Sequence, residues 1–215
     1  MNYVIPAARI YAIEQLLLEI TGKSISIKTY LSWGNTKLPD TTAILNITTA
    51  ENCPSKKLGF CALENPNRCY ARKAEIQYRH EVLPHRNFQA KIWDLLTAEQ
   101  LANLIKEEIS RRKKPTYVLR LNECGDFKDQ YDVDKAIKLT KALPELTIYC
   151  YTARKDLDFS KRDKLIVNGS GFMIDNKFVV VPKIEKQHQI VCRMDCSICN
   201  MCKEKKGRTI YVKLH

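Results

Sequence analysis

From Thr97 to Tyr151 the chain alternates helix and strand, and that alternation constrains its fold more than any other feature. Thr97 and Gln100 form a T-x-x-Q capping box ahead of Leu101, Leu104, Ile105 and Ile109 at helical spacing, and the helix runs out in RRKK before Pro115. TYVLRL (116–121) reads as a strand. Asp132 is placed to cap a second helix through Val133, Ile137, Thr140 and Leu143, stopped by Pro144, and TIYCY (147–151) is a strand again. Upstream, TTAILNIT (41–48) reads as a short apolar strand. Downstream, KLIVN (164–168), FVVV (178–181) and TIYVKL (209–214) read as three more. Strands separated by helices, without hairpins among the early ones, predict an α/β fold with a mostly parallel sheet, either a partial (β/α) barrel or an open wound sheet.

The first residues, 1–30, are expected to form an N-terminal helix. Arg9, Glu14 and Glu19 interrupt its apolar pattern, which suits an amphipathic helix and not a membrane span. Residues 31–215 are expected to form a single α/β domain, since no repeat, low-complexity tract or Gly/Ser linker divides them. Within it, a helix is expected from about Cys69, with Ala71, Ala74 and Tyr78 on one face and Pro84 closing the segment. No signal peptide is read, so the expected compartment is the cytosol, the host's if the protein is viral. There thiols stay reduced and clustered cysteines bind metal more often than each other.

In such sheets chemistry collects at the carboxyl ends of the strands. Strand 41–48 runs into the loop of Cys53, TYVLRL into NECGDF, TIYCY into TARKD, and KLIVN into GSGF. The chain has nine cysteines. Four of them, Cys192, Cys196, Cys199 and Cys202, follow one another at gaps of two or three residues, letting one loop wrap its sulfurs round a single centre. This Cys-rich C-terminal segment is read as metal-binding. Consecutive tight gaps suit an iron–sulfur cluster, with zinc as the alternative, although zinc more often takes two separated C-x2-C pairs. Cys53, Cys61 and Cys69, seven residues between each, are a looser set. Three ligands would leave a fourth position open, and a thiolate at Cys69, ahead of a helix, is favoured by the helix dipole. The alternatives are that some of the three are packing residues, or that they join the late four in one larger site, giving one cluster and not two. Cys124 and Cys150, in or after strands, read as small core residues.

NCPSKKLGFC…RCYAR resembles an expanded form of the cysteine loop of the radical SAM family, which carries C-x3-C-x2-C after the first strand of a partial barrel. Its Cys69-Tyr70-Ala71 ending is similar to that of the phage-encoded, cysteine-rich gene product 88 family, described as radical-SAM-like. The resemblance covers about residues 30–215 and rests on Cys53-Pro54, Cys69-Tyr70-Ala71, Gly125-Asp126-Phe127 and the four late cysteines. It implies that Cys53, Cys61 and Cys69 leave one iron of a [4Fe–4S] cluster free to chelate S-adenosylmethionine. Glu123 and Asp126 would then meet the methionine amine, and Tyr151, Arg154 and Ser170 the carboxylate and nucleoside. The wide spacing departs from the radical SAM pattern and calls for a differently folded loop. Cys192, Cys196 and Cys199 match C-x3-C-x2-C but lie too late for a barrel to follow, so they are expected to hold a second, auxiliary cluster.

The net charge of +12 argues for a polyanionic partner, most often nucleic acid; no membrane partner is expected. A cluster on four thiolates carries about −2 and would draw that balance down. Lys56-Lys57, Arg111–Lys114 and Lys203–Arg208 are the basic runs, and His188, near Cys192, is a candidate ligand or donor. Three functions follow as expectations. The first is a radical-SAM-like enzyme acting on nucleic acid or a nucleotide-like substrate. The second is a non-enzymatic zinc- or iron-shaped nucleic-acid-binding module. The third is a redox sensor or electron carrier using the late cluster alone.

Overall fold

The computed structural model describes residues 7–22, 24, 26–61 and 69–214. In chain order its elements are α1 (Ala7–Thr21), β1 (Ser32–Trp33), β2 (Thr42–Leu45), α2 (Pro54–Lys57), α3 (Tyr70–Gln77), α4 (Val82–Leu95), α5 (Ala98–Ser110), β3 (Val118–Leu121), α6 (Gln130–Ala142), β4 (Thr147–Thr152), β5 (Ile166–Ser170), β6 (Asn176–Val181) and β7 (Thr209–Lys213). One seven-stranded sheet holds them in the order β1 to β7. β1 is antiparallel to β2, and every later pair is parallel. The strand order never reverses, so the sheet has no crevice of the doubly wound kind, and its carboxyl edge is one continuous rim. The wound, mostly parallel α/β sheet is as expected; closure into a barrel is not shown.

Period-two alternation decides what each face meets. Leu119 and Leu121 of β3, Ile148 and Cys150 of β4, and Val167 of β5 pack with Leu17, Ile92, Trp93, Leu101, Ile105 and Val133 from the helices. Each such buried side chain contributes about 1.5–3 kcal/mol. Val118, Tyr149 and Ile166 point the other way and cluster with Tyr151, Phe178 and Cys202. Among the described residues that second face carries no α-helix and is covered in part by a 3-10 turn at Met201–Lys203.

Local chemistry explains the helix boundaries. The capping box at Thr97 and Gln100 forms as predicted. The cap of α6 is Asp129, which accepts from the Asp132 amide, while Asp132 lies inside and accepts from the Trp93 indole at 2.7 Å. Pro84 does not close a segment: it sits in the first turn of α4, where no intrahelical donor is lost. β5 and β6 are joined in parallel by five residues without a helix. Gly171 turns at φ +88, and Asp175 accepts from the Val167 amide at 2.8 Å to fix the return.

Candidate functional site

β2 releases the chain at the carboxyl rim. Cys53 precedes α2, whose first residue is Pro54, and the Cys61 amide donates back to the Ser55 carbonyl at 3.1 Å. Residues 62–68 lie outside the described residues. Cys69 then stands directly before α3, as predicted. Glu75 of α3 accepts from the Ala50 and Glu51 amides at 2.7 and 2.9 Å, and Arg86 of α4 bonds Glu75 at 3.1 Å, buckling helix and loop together. Cys69 packs against Cys124, Ala50 and Ala71. Charge on Cys61 or on Cys124 would be felt at Cys53. Burial pushes the Cys53 thiol up to about 11, with Asp126 and Cys61 adding to it against backbone hydrogen bonds. Burial also raises Cys124. Cys124 is buried as expected, but it borders the first thiol group and not the main core, a placement that only the three-dimensional return of β3 beside β2 creates.

The five side chains expected to meet S-adenosylmethionine divide sharply. The buried Asp126 carboxylate accepts from the Ser55 hydroxyl (2.5 Å), the Thr152 hydroxyl (2.7 Å) and the Phe127 and Ala153 amides (both 2.8 Å). It ties α2, β4 and the loop after β3 into one hub. Arg154 is equally committed, to the Phe127 and Lys128 carbonyls and, through two nitrogens, to Asp156. Glu123 accepts from Asn35 at 2.5 Å and from Arg86 at 3.4 Å at the rim. Tyr151 lies on the helix-free face, and Ser170, half-buried, ends β5.

The late cysteines belong to the long crossover between β6 and β7. The Cys192 amide donates to Tyr211 of β7 at 2.8 Å, and the Cys196 amide to Lys37, in the loop between β1 and β2, at 3.0 Å. Four residues reach at most about 14 Å, roughly half of six strand spacings laid flat. Loop and sheet therefore curl together over the helix-free face. Cys202 sits on β4 and β5, its carbonyl accepting from Asn168 at 3.0 Å and its sulfur hydrogen-bonded to Tyr151. Burial raises Cys196 and Cys202, and Arg120 works in the opposite direction on both.

Arg120 is the cation beneath this segment. Its guanidinium lies 5.2 Å from the Tyr151 ring centre, Nη2 is 3.5 Å from the Tyr70 hydroxyl, and Nε is sealed from solvent without a hydrogen-bond partner. Burial opposes its charge, yet Tyr70, Tyr149, Tyr151 and Glu123 hold its pKa above the ordinary arginine value. The sequence reading missed it, although an arginine between two leucines in VLRL marks the opposite face of a strand.

All nine cysteines are free. Among the described residues no three His, Cys, Asp or Glu side chains stand close enough to hold a metal ion in this arrangement. His188 caps a turn, accepting from the Glu185 amide, and stacks on Tyr211 at 4.2 Å. Much of the basic runs is locally engaged: Arg112 covers Trp33 at 3.7 Å, Lys114 pairs with Asp40, and Arg208 with Glu204. No helix among the described residues is long and apolar enough to cross a membrane.

No curated protein and no solved structure matches the chain. The family described as Gene product 88 matches residues 16–171, a stretch that takes in Cys53, Cys61, Cys69 and the Gly125–Phe127 hub and ends before the late cysteines. The match thus begins earlier and stops earlier than the sequence resemblance suggested. Covering well over half of the residues, it establishes that this chain belongs to the Gene product 88 family.

Proposed function

We propose that the chain is an iron–sulfur protein of radical-SAM-like type, acting on a nucleotide-like substrate. The observation that carries this reading is the delivery of two groups of free thiols to one sheet: one by the loop after the first parallel strand, the other by the crossover lying over the helix-free face. The donor chemistry fits. Both sets are thiol-only, the donor type by which thiolates hold a cluster. Cys53, Cys61 and Cys69 would hold one [4Fe–4S] cluster, and Cys192, Cys196, Cys199 and Cys202 a second. A cluster on three thiolates supplies electrons and an open iron position that can take S-adenosylmethionine. Glu123 and Ser170 would be the side chains to orient a ligand, while Asp126 and Arg154 hold the rim in shape. Tyr151 and Arg120 close the face beneath the second set.

Anaerobic purification with iron, sulfide and zinc analysis tests this directly, with absorption and EPR spectra recorded with and without S-adenosylmethionine. About eight irons per chain, with matching sulfide and a signal perturbed by S-adenosylmethionine, is the expected result. Zinc without sulfide or colour would overturn it and leave a zinc-shaped binding module. Loading is also expected to depend on pH. Cys53 keeps its proton up to about 11, so metal must displace that proton. Apparent affinity should rise with pH by about tenfold per unit for each proton released. Metal titrations at pH 6.5, 7.5 and 8.5 with Cys53→Ser as reference check this; a pH-independent affinity would contradict the release of a Cys53 proton on loading.

A further inference from the structure

We propose that a cleft beside the Cys53 loop is a binding site for a small phosphorylated organic molecule, in the manner of a nucleoside monophosphate. The cleft, about 490 Å³, opens at the carboxyl ends of β2 and β3, where α/β sheets bind their ligands. Its size lies within the range of small-molecule sites. Asn52 and Pro54, the two neighbours of Cys53, both line it.

Its walls divide into two chemistries. Lys57 of α2, Lys91 of α4 and Lys128 after β3 supply three ammonium groups. Asp94 is the single carboxylate in the lining, and it is already paired with Lys128. Among the described residues neither Lys57 nor Lys91 is paired with a carboxylate, and Lys57 reaches only Asn52, at 3.4 Å. Among the described residues the lining therefore carries two more ammonium groups than carboxylates, the complement of a phosphate dianion. The remaining wall is apolar, made by Ile47, Pro54, Ala90 and Leu58, and Leu58 is half exposed at the mouth. Inorganic phosphate would leave that wall wet, whereas an organic phosphate covers it.

The sequence builds this arrangement locally. Asn87, Lys91 and Asp94 fall at helical spacing and so share one face of α4, turned away from Phe88, Ile92 and Trp93 in the core. The four-residue α2 brings Lys57 opposite them. No cysteine lines the cleft, so the inference does not rest on the choice of metal.

Calorimetric titration of the purified full chain with AMP, ribose 5-phosphate and inorganic phosphate, at 50 and 200 mM salt, tests the assignment. AMP or ribose 5-phosphate should bind more tightly than inorganic phosphate, and more weakly at the higher salt. Lys57→Ala/Lys91→Ala should lose at least tenfold in affinity, while Lys106→Ala, on a remote helix face, should not. Leu58→Asp should remove the advantage of the organic phosphates. No binding of either organic phosphate, or unchanged affinity in the double variant, would overturn the site. Equal binding of all three probes would refute the role of the apolar wall. Iron and zinc content measured on the same samples separates the two proposals: metal loss with AMP binding intact would sink the cluster reading alone.

Discussion

Alanine at Gly125 is expected to destabilise the protein by about 4 kcal/mol or more, enough to unfold a domain of ordinary stability at moderately raised temperature. Gly125 turns at φ +72, and a Cβ there would fall 2.0 Å from Thr48 Oγ1 and 2.7 Å from the Thr48 carbonyl oxygen. The hydroxyl cannot swing aside freely, because it accepts from the Asp126 amide at 2.9 Å and donates to the Asp126 carbonyl at 3.0 Å. Losing both bonds costs about 1 kcal/mol each or more once their partners are buried. The left-handed backbone adds about 1–2 kcal/mol for any side chain, and the backbone oxygen must also shift. Gly171 is the control. Its φ of +88 is equally left-handed, yet a Cβ there meets nothing within 4 Å, so Gly171→Ala should cost only the backbone increment. Urea denaturation of both variants measures the difference, and equal losses would show that the approach to Thr48 is not what fixes the hub.

The hub matters because it shapes the rim on which the thiols stand. Asp126 links Ser55, two residues after Cys53, to Thr152 and Ala153 at the end of β4. In the resemblance Asp126 faces a cofactor amine; in the fold its lone pairs are met by four internal donors. A loop residue next to a glycine turn reads identically in sequence whether it points at a ligand or at its own backbone.

The parallel strands were legible because each is a run of β-branched or aromatic residues between turn signals, and VLRL even announces its two faces. β1 was not, since two residues leave no periodicity to detect. α4 was hidden by Pro84, a stop in mid-helix but harmless in a first turn. Asp132 looked like a cap because an acid precedes an apolar run, but Asp129, three residues earlier, reaches its amide first. The cysteine spacings announced thiol-rich loops; they carried no sign that Cys196 would be tied to the loop between β1 and β2, since that contact joins residues far apart in the chain. Cys124 and Arg120 are the same case. Their neighbours are set by strand register, which no local pattern records.

On the proposed cluster reading, Arg120→Met is expected to act in opposite directions on the metal-loaded and metal-free protein. In the free chain its guanidinium is enclosed by tyrosines, Nε has no partner, and no carboxylate forms a salt bridge with it among the described residues. A buried charge of this kind is costly, and an apolar side chain of similar size is often neutral or stabilising by about 1–4 kcal/mol. Glu123 would not be stranded, because Arg86 and Asn35 still bond it. In the loaded chain the balance changes. Cys196 and Cys202, which already feel the charge of Arg120, would carry net negative charge as cluster ligands. Losing a unit charge that both sulfurs already feel weakens retention. Chelator-driven metal release should therefore be faster in Arg120→Met, with Arg120→Lys close to the parent, while urea midpoints of the stripped proteins stay equal or rise for methionine. Equal destabilisation of both forms would show that Arg120 serves packing alone. Unequal effects would identify it as the counter-charge that the fold holds in place for the late thiols.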